Sequence, residues 1–513
     1  MNFQFINQAL THFIPETILI GTFLVALLAD LVFKRKIVVA IITLLGVIAA
    51  GWYVLPQVSM PNTFIFTGTS VFHTTAGMFM VDAFSAYFKL LMAAAGIVVI
   101  LFSMNSHELK KEASSHLGEY YALIAAMMVG MFLMAGVTDI LMMYIALELV
   151  SISSYILTGF LKNYYRSTEA AMKYVIFGAA ASGLMLYGFS LLFGLTGSTN
   201  LSEIQSYLGS HHMQGNELIM LLFSGVLILA GFGYKISAVP FQFWTPDVYE
   251  GAPITITAFL SVASKAAGFV MLIRFMLFSF APPNFMSWIV PLGYGGNAII
   301  FALCVMTMTL GNVVAIQQTN MKRLLAYSSI AQAGYLLMGI VAFSTQGITA
   351  IMIYFAMYLF MNLGAFYVVQ VIAEKVGSEE IEDFKGLAKR MPFFAAMLTI
   401  FMMSLTGIPL TAGFIGKFFL FAAVLQRGPH EAKMYWLVGI AGLNSVIALF
   451  YYIKVIRAMY LEKSEDEETG KIRTGSIPVM LVLSMGIPTI LFGVWFSPIV
   501  NFAQQALMQF LHR

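Results

Sequence analysis

Residues 392–425 read PFFAAMLTIFMMSLTGIPLTAGFIGKFFLFAAVL, and this stretch decides the fold. It is largely apolar and holds one charged side chain, Lys417. Its middle carries Gly407, Pro409, Gly413 and Gly416. Proline removes a helical N–H and clashes one turn back, and glycine frees the backbone. The run therefore predicts a membrane helix that breaks near mid-membrane, with a lysine eight residues after the proline. Broken backbone at that depth is tolerated only where it is buried in protein or lines a hydrated cavity.

The rest of the chain is of the same kind. Of 513 residues, 60% are apolar and 10% charged, where a soluble protein is about a quarter charged. This excludes a soluble enzyme, a disordered chain and a nucleic-acid-binding chain. A transmembrane barrel is excluded too, because its strands alternate apolar and polar residues. Cys304 is the only cysteine, so no disulfide framework or thiolate-held cluster can be built from this chain alone. The eight histidines fall outside the apolar runs or at their ends, which argues against haem clamped between helices. No phosphate loop, H-E-x-x-H or nucleotide fingerprint is present. The N-terminus lacks the basic region and cleavage site of a signal peptide, so the first apolar run is expected to stay.

Apolar runs predict an all-α polytopic protein of about fourteen spans: 14–33, 37–55, 80–103, 119–136, 138–161, 168–194, 217–242, 254–280, 288–316, 321–343, 347–373, 392–425, 433–460 and 475–497. Lys and Arg orient them. One set of alternate connections holds eighteen of the 27, including Lys34, Arg35, Lys36, Lys110, Lys111, Arg166, Lys322, Arg323, Lys389 and Arg390. The other side has Arg427, Lys433 and Arg513, with Arg274 near it, and connections 56–76 and 195–216 hold none. The basic face is expected to be cytoplasmic, with both termini on the outer, periplasmic side of a bacterial inner membrane.

Sliding the chain by 180 residues pairs Tyr155 with Tyr335, Leu157 with Leu337, Gly159 with Gly339, Ala170 with Ala350, Met172 with Met352 and Tyr174 with Tyr354. The shift carries the fifth span onto the tenth, an odd number of spans, so the copies cross the membrane in opposite senses. Inverted repeats are a transporter design with the working site near the midplane; chance similarity of apolar helices is the bland alternative. The organisation expected is N-terminal helices and a loop over 1–118, a first five-helix repeat over 119–280, an inverted second repeat over 288–460, and a last helix with tail over 475–513. The seventh and twelfth spans are the broken ones.

Few charges remain inside the spans: Lys89, Lys173, Lys235, Lys265, Lys417 and Glu148. Each costs about 2.5–3.5 kcal/mol or more at the bilayer centre. Lys89 is about two turns from an outer helix end and is expected to snorkel. Lys173 lies nearer the cytoplasmic end. Lys235 precedes Pro240 by five residues, in a second helix expected to break, and is 182 residues from Lys417. That separation places the two lysines in matching positions of the two copies. Proline kinks used only for packing would need no lysine.

This chemistry suits protons. Desolvation penalises an ammonium and a neighbouring carboxylate favours it. Glu148 and Lys235 could pair. Closing the pair would hold a proton on Lys235, and opening it would release the proton toward Lys265 and through water to Lys417. Sodium wants oxygen ligands, and one deep carboxylate among at least three deep lysines does not supply them. An anion path would leave Glu148 without a role.

These residues resemble a known family, the antiporter-like membrane subunits of respiratory complex I. The specific stretches are Tyr144-Ile-Ala-Leu-Glu148-Leu, the run Tyr-Lys-Ile-Ser-Ala-Val-Pro-Phe-Gln-Phe-Trp-Thr-Pro-Asp-Val-Tyr-Glu-Gly-Ala-Pro over 234–253, and Gly-Ile-Pro-Leu-Thr-Ala-Gly-Phe-Ile-Gly-Lys-Phe over 407–418. The likeness covers roughly 80–460. The chain stops soon after the last span, unlike subunit L with its long lateral helix, and has Lys417 where subunit M has glutamate. The resemblance implies a coupling ion pair of Glu148 with Lys235, a central Lys265, a terminal Lys417 and an additional lysine, Lys173. It implies that quinone reduction elsewhere in the complex drives proton movement here. NADH, flavin, iron–sulfur clusters and quinone would belong to partner subunits, with no cofactor or metal held by this chain. Expected neighbours are subunits M, K, J, A, H and L, with lipid around them and no nucleic acid. The acidic stretch 462–468 reads as solvated loop. A component of a multisubunit sodium/proton antiporter, whose main subunits share the fold, is the alternative; a stand-alone organic-anion transporter fits the motifs least.

Overall fold

The computed structural model describes residues 10–67, 77–211, 213–280, 292–429, 431–463 and 471–511. Apolar runs with few internal polar groups can satisfy their backbone in lipid only as helices, and almost every predicted span is one. The first half holds α1 (Ile14–Val32), α2 (Ile37–Val54), α3 (Ala83–Asn105), α4 (Leu117–Gly136), α5 (Ile140–Thr158), α6 (Tyr165–Thr196), α7 (Asn216–Ile236), the short α8 (Trp244–Gly251) and α9 (Ile254–Phe280). The second half holds α10 (Leu292–Ala315), α11 (Met321–Ala342), α12 (Thr345–Val376), α13 (Pro392–Thr406), α14 (Ala412–Arg427), α15 (Lys433–Leu461), α16 (Ser476–Val494) and α17 (Ser497–Leu511).

Among the described residues thirteen helices are long and apolar enough to cross a membrane. The fourteenth crossing is the stretch 392–425. It is split into α13 and α14, 15 and 16 residues long, each too short to span alone. The start of the ninth predicted span and much of the acidic stretch 462–468 lie outside the described residues.

Both predicted breaks are present. α7 ends at Ile236; Ser237 takes a left-handed backbone, φ 62°, and the Val239–Pro240 peptide is cis before α8 begins. α13 ends on Gly407 at φ 94°, and Leu410 follows at φ 70°. Glycine adopts that region at no steric cost. The breaks do not superpose under the 180-residue shift. Lys235 stands in the last turn before its break and Lys417 in the second turn after its own, so the two lysines are not in matching places along their helices. Their numerical spacing could not reveal this, because it says nothing of where each backbone opens.

Three features were not legible as spans. Residues Thr63–Thr67 and Gly77–Val81 form an antiparallel hairpin, β1 and β2, with Phe64 opposite Met80. Within α9 the turn Leu260–Ser264 is a π-helix, a widening often found at functional sites. The tail after the last crossing is α17, whose buried stripe Val500, Ala503, Ala506, Leu507 and Phe510 follows helical spacing and packs on α3 and α12. The most enclosed helices are α9, α11 and α12; α1, α2, α15 and α16 are peripheral.

Candidate functional site

Lys265 opens the last segment of α9 directly after the π turn, and its side chain is buried. Its ammonium donates to the carbonyl oxygen of Ser329 at 2.8 Å and to the Ser329 hydroxyl. The π turn is itself tied to the second half, because Asn362 of α12 donates to Ser261 Oγ at 2.6 Å.

Lys235 is 2% exposed, and its Nζ donates to Ser151 Oγ of α5 at 3.3 Å. Its stem runs beside Gly268, one turn beyond Lys265: a Cβ there would meet Lys235 Cγ at 3.2 Å. Glycine thus lets the Lys235 stem lie against the backbone of α9, one turn from Lys265. Tyr234, the residue before Lys235, is held twice. Its hydroxyl donates to the carbonyl of Tyr174 at 3.1 Å, and its carbonyl accepts from Trp244 Nε1 at 3.1 Å. Trp244 stacks on Tyr174 with ring centroids 4.4 Å apart.

Glu148 is one helical turn from Ser151 on α5, near enough for its charge to act on Lys235. The expected ion pair is not closed in this structure. Lys235 is turned to the serine, and Glu148 Oε1 is buried without a hydrogen-bond partner among the described residues. Glu148 falls in the row of Leu141, Ile145, Ile152 and Ile156, each about half exposed. The carboxylate therefore lies on the rim of the chain, not at its centre.

Lys417 donates to the carbonyl of Thr406 at 2.8 Å, the last residue of α13, and its ammonium stands 4.3 Å from the ring centroid of Tyr335. A carbonyl freed by the helix break is thus the lysine's partner, and the aromatic face adds a cation–π contact. Between Lys265 and Lys417 lies a layer of neutral polar groups that sequence reading missed. Gln332, one turn after Ser329 on α11, donates to the Leu405 carbonyl at 3.0 Å and accepts from the Tyr354 hydroxyl. Ser328 meets Tyr452 at 2.5 Å. Tyr335 contacts Asn312 and Ser445, and Tyr451 donates to Asn312 at 3.1 Å. The usable signal was Gln332, an amide in the middle of an apolar span.

Lys173 is not brought to these three lysines. Its side chain is 39% exposed, bonded to Asp247 at 2.6 Å and Glu169 at 2.8 Å. Burial pushes the Asp247 carboxyl up, but hydrogen bonds from Lys173 and Arg323 outweigh it and hold the group below the usual carboxylate range.

The snorkelling expectation for Lys89 is overturned. Lys89 is fully buried and 2.6 Å from Glu16 Oε1, itself fully buried, with Gln57 Oε1 at 3.4 Å and the Phe79 ring at 5.1 Å. The ring belongs to β2, a chain segment absent from the helix count, and the lysine is enclosed together with its carboxylate partner. Arg274, expected near the outer face, is also fully buried. It donates to Asp82 at 2.8 Å and to the Ala135 carbonyl at 3.0 Å, among Phe84, Phe278 and Phe510. Glu16 and Asp82 add two deep carboxylates to the one read from sequence.

Two broken helices, each with a buried lysine beside the break, and a third buried lysine on a helix between them define an ion-translocating membrane protein of the antiporter-like class. The chain belongs to the NADH:quinone oxidoreductase/Mrp antiporter transmembrane family, which matches residues 137–448. A relative from Chloroherpeton thalassium, NADH-quinone oxidoreductase subunit N 2, is 45% identical over 497 residues, covering 96% of this chain and 94% of its own length. Among solved structures, a chain of respiratory complex I from Thermus thermophilus superposes with a TM-score of 0.74 at 26% identity, covering 95% of this chain and 98% of that one. A chain of the Mrp complex from Dietzia sp. has a TM-score of 0.82 at 18% identity, covering 98% of each, a likeness of fold alone.

Proposed function

We propose that this chain is a proton-translocating membrane subunit of an NADH-quinone oxidoreductase, equivalent to subunit N. The observation that carries the reading is the series of buried lysines 235, 265 and 417, each bonded to a hydroxyl or to a backbone carbonyl. A desolvated ammonium held by neutral partners releases its proton readily, and the hydroxyl and amide layer around Gln332 offers a route between the last two. Glu148 biases the first lysine. With the pair open, Lys235 is poised to pass a proton toward Lys265; with it closed, the proton is retained.

The chain works as a non-redox part of the translocase. NADH, flavin, iron–sulfur clusters and quinone sit in partner subunits, and energy from quinone reduction reaches this chain through the membrane arm shared with subunits M, K, J, A, H and L. The half-buried Glu148 in an otherwise apolar outward row supports such neighbours, because a carboxylate facing bare lipid is costly. The basic face is placed in the cytoplasm, with both termini outside. Lys173 belongs to the cytoplasmic mouth and not to the buried series. The sodium/proton-antiporter alternative is less supported: it has the shared family and fold behind it, whereas the full-length relatives of high identity are NADH-quinone oxidoreductase subunits.

The test is proton pumping by the intact complex in inverted membrane vesicles. Lys235→Ala and Glu148→Ala should sharply reduce quinone-coupled pumping. Normal pumping by both, in complexes assembled at wild-type level, refutes the relay.

A further inference from the structure

A chain of alternating charges runs across the basic end of the molecule: Glu169, Lys173, Asp247, Arg323, Glu250 and Arg166. Asp247 sits at its centre, and its two oxygens are divided between the halves. Oδ2 takes Lys173 of α6 at 2.6 Å, and Oδ1 takes Arg323 of α11 at 2.7 Å. Arg323 also reaches Glu250 at 2.8 Å, and Glu250 takes Arg166 at 3.1 Å. These residues line a cavity of about 210 Å³.

Asp247 and Glu250 are on α8, the short helix that follows the first break. α8 begins with Trp244, whose indole N–H holds the Tyr234 carbonyl next to Lys235. Arg323 is on α11, the helix whose Ser329 holds Lys265 and whose Gln332 holds the end of α13 beside Lys417's carbonyl partner. One helix therefore contacts both later lysine sites and, through Arg323, the short helix α8, whose Trp244 holds the carbonyl next to the first.

We propose that Asp247 is a positioning residue through which the second half of the molecule sets the state of Lys235. The clamp ties α8 to α11, so a shift of α11 that accompanies a change at Lys265 or Lys417 moves α8, Trp244 and the backbone at Tyr234. Lys235 is then turned between Ser151 and Glu148. Two cations, one from each half, share one carboxylate, so displacement of either half alters its grip. An exposed ion pair adds little stability by itself. What this one supplies is mechanical continuity between elements that have two arrangements.

This inference rests on the relay proposed above, and the experiment separates the two. Asp247→Asn, Asp247→Glu, Arg323→Gln, Arg323→Lys and Lys235→Ala are made in the intact complex, with assembly checked by native gel. Pumping and quinone reduction are measured in inverted vesicles. Asp247→Asn and Arg323→Gln are expected to lower protons pumped per quinone reduced by roughly fivefold or more, with Asp247→Glu and Arg323→Lys restoring most of it. A helix merely destabilised by the loss would reduce assembly and not the ratio. Asp247→Asn and Arg323→Gln pumping at the wild-type ratio while Lys235→Ala does not would overturn the clamp and leave the relay standing. Failure of Asp247→Glu and Arg323→Lys to restore the ratio, in assembled complexes, overturns the clamp as well. Wild-type pumping by Lys235→Ala overturns the relay itself.

Discussion

Replacing Lys89 by methionine leaves Glu16 as an ion with no cation beside it. Both side chains are 0% exposed and 2.6 Å apart, so neither charge is screened by surface water. Breaking a buried pair from one side costs about 3–5 kcal/mol, because the surviving charge stays desolvated. Removing both charges is different. Glu16→Leu with Lys89→Met replaces the pair by apolar groups of similar volume, an exchange that is often neutral or stabilising. The prediction is a cycle: Lys89→Met and Glu16→Leu each strongly destabilising, the double variant close to wild type. Thermal inactivation of the purified complex in detergent, with the four forms compared at one temperature, measures it. Quinone-coupled pumping per assembled complex should be retained in the double variant, since this pair stands outside the lysine series. A single-variant cost below about 1 kcal/mol, the worth of an exposed pair, would show that the site is wet and the reasoning wrong. So would a double variant as unstable as the singles.

At Lys417, glutamate should support more pumping than alanine because a titratable group survives; equal loss in the two vesicle assays would count against its place in the relay. Gly407→Ala forces a side chain into φ 94° and puts Cβ 3.0 Å from Lys417 Cδ, so it should cost about 1–3 kcal/mol of strain and lower pumping. Gly377→Ala, at φ 86° with open space around it, should show the strain without the pumping defect. The Asp247 carboxyl is held below its usual range, so the stability from its clamp is fully present above the unfolded value of about 3.9 and is lost as pH falls through the folded one. In acid denaturation, the gap between wild type and Asp247→Asn should stay constant down to about pH 5 and close progressively below it; a gap that narrows already near pH 6 would contradict the shift.

The sequence by itself determined the membrane class, the crossings, both helix breaks and the buried lysines. Each of these is local: an apolar run can only be a helix in hydrocarbon, a proline between glycines stops it, and a lysine in mid-run announces a cost that something must meet. Lys235, Lys265 and Lys417 were readable for that reason. What they touch was not, because partners come from distant helices: Ser329 for Lys265, Ser151 for Lys235, a carbonyl exposed by a break for Lys417. Depth along one helix suggested that Lys89 reaches water; only packing with α1, the residue Gln57 and the β2 strand shows it buried and paired instead. Arg274 and Asp82 are 192 residues apart and Asp247 and Arg323 are 76 apart, separations over which neither periodicity nor composition carries information. Tertiary structure decided which charges meet, since in a low-dielectric interior an ion's fate depends on what stands within a few ångströms, and that neighbourhood is assembled only when the helices close on one another.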